Sequence, residues 1–398
     1  MNNVRLLFVM EFFSGLSRGS YLVCIGWITL VVTEDVSRVG QVFIIAMLTN
    51  LFVGPFVGTL VDRHNRKYLV IFAHSGIALT LIFLALIWLG ASEPNIVLLF
   101  GAVVAASALR MMHNSSHDGL IQAAVSKAKL MRTVARFRGV HLISTAIGTV
   151  LAGIVIERVS PAAGFLFSAG ASLLLILPMI FVDGGYMRTN APGVKAFWTD
   201  LRGGVQIFRS NRALRMLALL AGVSLPIGQL SNAILSSLIY DDLGKGSQAF
   251  GIVDAAWPLG GMFAAALLSF GIRRLTARNM EYWLALFAGI STVALSLGTS
   301  IPTLAIIHGA MGMTVWMCRI VIDGRILQIC TAENVGRTKV GIDMAFSLSA
   351  LIMCFSPTLI SLPSTATYFL FWGSFMILVS GLMLAFQRSI LPQTSTSA

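Results

Sequence analysis

Charge is scarce in this chain. Asp, Glu, Lys and Arg together make up only 11% of its 398 residues, against about a quarter in soluble domains, which excludes an ordinary water-soluble fold. Acids are scarcer than bases: 16 Asp and Glu stand against 28 Lys and Arg, a formal net charge of +12. Such an excess can mark a nucleic-acid binder, but here the bases are spread through short interruptions instead of forming one patch, so no nucleic-acid partner is expected. The four cysteines, Cys24, Cys318, Cys330 and Cys354, lie in or beside apolar segments without metal-ligand spacing, and read as small hydrophobes. Metal-ligand clusters, nucleophile motifs, phosphate loops and Walker sequences are also missing. The chain therefore reads as no enzyme, without metal or cofactor, and not driven directly by ATP.

Long apolar runs are what the sequence has in abundance. Each run needs about 20 residues to cross the hydrocarbon of a bilayer, and twelve stand out, at roughly 5–31, 40–60, 68–90, 96–114, 131–156, 161–182, 213–239, 248–270, 280–299, 302–324, 338–361 and 366–387. A chain crossing a membrane so often must satisfy its backbone within helices, so the expected fold class is an all-α integral membrane protein. The first run has no small-residue cleavage site and is followed by eleven like it, so it reads as the first span, not a leader. With the amino terminus inside, nearly every loop Lys and Arg falls on one face of the membrane; only Arg38, Arg158 and Lys245 fall on the other. By the positive-inside rule this puts both termini in the cytoplasm and requires an even number of spans.

The longest hydrophilic interval divides the chain into a six-span domain (1–182), a central cytoplasmic loop (183–212) and a second six-span domain (213–398). Within the loop, Phe197 to Phe208 has the spacing of an amphipathic helix at the inner membrane surface, and a plain linker fits equally well. The halves repeat: Asp118-Gly119 returns as Asp323-Gly324 and Arg132-Thr133 as Arg337-Thr338, at one common offset. Two related six-helix halves are the expected architecture.

The turn Gly58-Thr59-Leu60-Val61-Asp62-Arg63-His64-Asn65-Arg66-Lys67 lies between the second and third runs. Its pattern, with Gly58, Asp62, Arg63, Arg66 and Lys67, resembles the loop between helices 2 and 3 of the major facilitator superfamily, where it acts as a conformational latch. The counterpart near Ala265 to Arg274 is weak, with Ser269 in place of the acid. The stretches ending Phe208-Arg209-Ser210-Asn211-Arg212 and Gly336-Arg337 through Gly341 are similar to the branch containing the enterobactin exporter and macrolide efflux proteins. The resemblance implies the major facilitator fold and a proton-driven exporter, monomeric, in a bacterial inner membrane, with the small-molecule substrate, protons and membrane lipids as partners. It also implies that helices 1, 4, 7 and 10 line a central cavity. Ser115 and Ser116 stand where drug antiporters of the superfamily often carry glycine.

Ionisable groups inside spans are costly and usually functional. Arg18 lies deep in the first run, Arg110 and His113 share a face of the fourth, and Arg319 lies in the tenth. Guanidinium binds carboxylates bidentately and does not deprotonate, so these bases point to an anionic, siderophore-like substrate held by Arg18, Tyr21, Arg110, His113, Gln229, Asn232 and Arg319. A local alternative stays open, in which Arg18 pairs with Glu11 and Arg319 with Asp323. Proton coupling needs a group that changes charge; Asp254 comes first, then Glu11 and Asp343, with His113 and His141 as further candidates. His64 and His74 read as incidental neighbours of the latch. Pro226 and Gly228 are expected to bend the seventh span beside Gln229, Ser231 and Asn232. Two rival functions carry other cargo: a multidrug or macrolide antiporter, which would need an acid in an aromatic cavity, and a lipid flippase, in which the arginines hold a headgroup.

Overall fold

A computed structural model describes residues 3–90, 95–182, 211–269, 279–330 and 335–388. All the regular structure among these residues is helical: α1 (Asn3–Thr33), α2 (Val36–Arg63), α3 (Arg66–Gly90), α4 (Ile96–Ala124), α5 (Lys127–Arg158), α6 (Pro161–Ile180), α7 (Arg212–Ser224), α8 (Ile227–Ser237) running into a π turn (Leu238–Asp242), α9 (Ser247–Ser269), α10 (Met280–Ser296), α11 (Ile301–Ile329), α12 (Val335–Leu359) and α13 (Thr365–Arg388). Helix starts are fixed by short polar side chains that accept from the first free N–H groups. Asp35 accepts from the Ser37 amide at 2.8 Å, Asn95 from Val97 at 2.9 Å and Asn211 from Ala213 at 3.0 Å. As expected, the seventh span is interrupted, α7 ending at Ser224 and α8 beginning after Pro226.

Among the described residues, eleven stretches are long and apolar enough to cross a membrane, counting α7 and α8 with the π turn as one. The twelfth segment, α10, is apolar but has 17 residues, about 26 Å at 1.5 Å per residue and so near the lower limit for a span. Outer faces carry exposed Phe52, Phe72, Leu79, Leu86, Leu297 and Leu378, a surface suited to hydrocarbon and not to water. The chain is a multi-pass membrane protein.

The halves are built alike. In the first, α1 packs on α5, α2 on α4 and α3 on α6; in the second, α7 packs on α12, α9 on α11 and α10 on α13. The α1–α5 pair is drawn together by Gly15 and Gly19, one turn apart on α1. A Cβ on Gly15 would stand 2.6 Å from the His141 carbonyl oxygen, and one on Gly19 would collide with that of Thr145. Such small-residue pairs let membrane helices approach backbone to backbone, and this approach brings His141 of α5 against Glu11 of α1.

Across the halves, α5 packs on α9 and α2 on α12. The Ser247 hydroxyl donates to the Gly153 carbonyl at 2.9 Å, and the Gln248 amide donates to Glu157 at 2.8 Å. These contacts lie at the end of α5 far from Arg138. At the opposite end of α2, a Cβ on Gly58 would meet nothing within 4 Å. The halves are thus joined at the Glu157 end by hydrogen bonds between α5 and α9.

Candidate substrate cavity

A cavity of about 550 Å³ is lined from Ile25 and Phe43 at one end to the exposed Asp118 and Arg138 at the other, a size that suits a small organic molecule. Its walls come from α1, α2, α4, α5 and α8. Spans 1, 4 and 7 therefore contribute, as the resemblance implies, while α11, the tenth span, contributes nothing to this lining. Of the residues singled out in the sequence, Arg18, Tyr21, Arg110, His113, Gln229, Asn232 and Glu11 all face this cavity, and Arg319, Asp254 and Asp343 do not.

Arg110 is buried, with its guanidinium carbon 4.9 Å above the Tyr21 ring centroid. That cation–π contact holds the guanidinium against α1. Its Nε and one Nη have no hydrogen-bond partner. Arg18, on the same side of α1, is close enough to interact with both Arg110 and Tyr21. Neither arginine forms an ion pair with an acid among the described residues. The pairing of Arg18 with Glu11 that the spacing left open is absent, because Glu11 is engaged elsewhere. Its Oε1 lies 2.9 Å from His141 Nδ1 and its Oε2 3.2 Å from His117 Nδ1.

Arg319 is different. Its Nη2 lies 2.8 Å from Asp343 and its Nε 3.4 Å from Asp323, so two carboxylates tie it between α11 and α12. The local alternative fits the geometry of Arg319, and Asp343 serves as its counter-ion. Asp254 on α9 has no ion-pair partner among the described residues and sits beside Val253, whose carbonyl accepts from His308 at 2.8 Å. With that nitrogen donating, the other ring nitrogen of His308 accepts from Ser231 at 2.8 Å. Ser231 therefore faces the protein interior while its neighbours Gln229 and Asn232 face the cavity.

Sequence reasoning missed two groups here. His117 was not singled out at all, although Arg110, His113 and His117 follow one another at helical spacing on one face of α4. His74, read as incidental to the turn, is fully buried, its ring 4.5 Å from that of His113. The reason is that α3 begins at Arg66, so His74 lies two turns inside the helix and not at the membrane surface.

The turn itself is held within the first half. The Arg66 guanidinium lies against Gly119 near the end of α4, and the Lys67 ammonium donates to the carbonyls of Ile180 and Val182, at 2.7 and 2.8 Å. Lys67 thus caps the end of α6, where a cation also meets the negative end of the helix dipole. The side chain of Asp62 lies outside the described residues, as do those of Arg132 and Arg337 and the whole of 183–210, which includes most of the central loop. Replacing Lys67 by Met should remove two charge-assisted bonds and lower stability by about 1–3 kcal/mol, read as a fall in the melting temperature of the purified protein; an unchanged melting temperature would show that the cap contributes nothing.

Residues 7–338 match the sequence profile of the Major Facilitator Superfamily, and the chain belongs to that family of membrane transporters. Among solved structures it is similar to the nucleoside transporter NupG, at 14% identity with a TM-score of 0.79, covering 98% of this chain and 100% of that one. It is also similar to a POT family transporter in complex with a thioalcohol-conjugated peptide, at 13% identity and a TM-score of 0.75, covering 98% and 96%. A bacterial homolog of the human lysosomal transporter Spinster, inward-facing and unoccupied, matches at 12% identity and a TM-score of 0.68, covering 97% and 95%. No curated protein matches. At such identities the likeness is one of fold.

Proposed function

We propose that this protein is a proton-coupled carrier of a small anionic organic molecule, which it binds between Arg18 and Arg110. The observation that carries this reading is a pair of guanidinium groups in the wall of a membrane cavity, neither with a carboxylate counter-ion among the described residues. Buried charge is expensive unless it is paired, and two like charges facing one space are paired most simply by an anion that arrives from outside. Tyr21, Gln229 and Asn232 add neutral donors around the same space. A carboxylate-bearing, siderophore-like compound fits this chemistry. A lipophilic cation does not, because the charges towards Ile25 and Phe43 are basic and the acids, Glu11 and Asp118, stand nearer the Arg138 end.

With the Lys- and Arg-rich loops in the cytoplasm, the cavity opens inward, and the site is a bacterial inner membrane with both termini inside. The test is transport in inside-out vesicles of a tricarboxylate siderophore and of a lipophilic cation, each with and without a pH gradient, for the wild type and Arg18→Gln. Gradient-dependent movement of the anion alone, lost in Arg18→Gln, is the expected result. Movement of the cation, unaffected by the substitution, overturns the anion reading in favour of a multidrug antiporter.

A further inference from the structure

We infer that Glu11, His117 and His141 form one proton-binding site whose charging tightens the binding of the anion at Arg18 and Arg110, so that proton and anion cross in the same direction. The inference rests on the anion reading of the cavity.

The geometry is a carboxylate between two imidazoles. Glu11 comes from α1, His117 from α4 and His141 from α5, and both imidazoles present Nδ1 to opposite oxygens of the one carboxylate. Glu11 and His117 are each only 5% exposed, and His141 Nδ1 is within hydrogen-bond distance of the carboxylate, while Nε2 of His117 has no protein partner among the described residues. Buried polar atoms are nearly always satisfied, and an exception calls for a functional account. A carboxylate shared by two imidazoles from different helices, at the wall of a cavity, can hold a proton and exchange it with solvent.

The surroundings set the limits of that exchange. His113 on α4 stacks over His117 at 5.5 Å between ring centroids, bonds Ser14 of α1 at 3.0 Å, and meets His74 of α3 edge-on. Arg110 lies one turn above His113 on α4, and Arg18 on α1. Arg138 on α5 and Asp118 on α4, both exposed at the cavity mouth, also act on the cluster. The lining residues of α2 and α8 are not ionisable, and neither is any residue of α6. The cluster therefore holds one carboxylate within a field of bases. Three groups so close titrate together, and the proton belongs to the set and not to one member.

All three residues and both arginines line the same cavity, so proton and anion load from the same side in the same state. Glu11 is seven residues before Arg18, about 10 Å along α1. Without a proton the cluster carries the Glu11 charge and repels an anion at the arginines; with one it is neutral. At that separation and an effective dielectric of about 20, removing one negative charge is worth about tenfold in anion affinity. Coupling is reciprocal, so a bound anion raises proton affinity by the same factor. Binding that is mutually favourable moves both species together, and an inward proton gradient then drives uptake. Export, which the sequence resemblance implies, would instead need proton and anion to compete.

The experiment is binding of citrate, succinate and benzoate as probes to the purified protein between pH 8 and pH 5.5, for the wild type, Glu11→Gln, His117→Gln, His141→Gln and Arg18→Gln. Proton uptake on binding is recorded with a pH indicator, and folding of each variant is checked by gel filtration. Wild-type affinity is expected to rise about tenfold on acidification, with proton uptake. In Glu11→Gln, whose neutral amide imitates the protonated site, the pH slope and the proton uptake should vanish; the two histidine variants should flatten the slope even if Glu11→Gln does not fold. Affinity that falls with acid or ignores pH, while Arg18→Gln still abolishes binding, overturns the co-transport inference and leaves the anion reading standing. Binding of none of the probes, or binding untouched by Arg18→Gln, overturns both.

Discussion

Arg110→Met abolishes transport of the anion, and Arg110→Lys restores little of it: that is the largest effect expected of any single substitution in this protein. Arg110 is buried, and the face of its guanidinium is already taken up by Tyr21. A carboxylate meeting the remaining edge would form two parallel charge-assisted bonds in a space from which most water is excluded. Truncating one partner of such a pair costs about 2–5 kcal/mol, a loss of affinity of about 30-fold to more than 1,000-fold. Lysine keeps the charge but has neither the fork nor the planar face that stacks on Tyr21. Uptake rates at several substrate concentrations check this, with a melting curve to show that each variant is folded. Full activity in Arg110→Met would mean that the arginine only shapes the wall.

Gly251→Trp is expected to hold the two halves apart where α5 meets α9 and to stop transport. A Cβ at Gly251 would lie 2.7 Å from the Thr149 carbonyl oxygen and 3.4 Å from the Gly153 Cα. Both obstacles are backbone of α5, which cannot swing aside as a side chain could, and overpacking a tight contact commonly costs about 1–3 kcal/mol even for a small group. An indole is far larger, so α5 and α9 must separate. The hydrogen bonds from Ser247 to Gly153 and from Gln248 to Glu157 would then be lost. A carrier that alternates between states needs each end to close in turn, so a wedge here removes one of the two states. Cysteines placed at Glu157 and Gln248, which are in contact at 2.8 Å, should cross-link readily in an otherwise native background and poorly with Gly251→Trp. Equal cross-linking in both would show that this seam is not a moving contact.

The fold was legible in the sequence because bilayer thickness dictates it: apolar length is enough to mark the spans and to require that they be helices. The bend at Pro226 was legible for an equally local reason. In the cavity, Arg18, Tyr21, Arg110, His113, Gln229, Asn232 and Glu11 could be picked out because polar groups inside apolar runs are conspicuous. What spacing along one helix could not give was the partner across helices. Arg319 and Asp343 are separate in the chain and adjacent in space, an ion pair that spacing along either helix alone does not show. Glu11 looked like the partner of Arg18 because both lie on α1, yet Gly15 and Gly19 bring α5 so close that His141 reaches the carboxylate. His74 follows the charged turn closely in the sequence, yet two turns of α3 set it inside the helix, where it is fully buried. His117 is the one avoidable omission, since its spacing from His113 put it on the same face of the same helix.

A structure of the protein determined with a transported carboxylate bound tests the central claim most directly. The expected result is density for the anion between the Arg18 and Arg110 guanidinium groups, with Tyr21 beside it. An anion bound at Arg319 or against Asp254, with Arg18 and Arg110 unoccupied, would contradict the account.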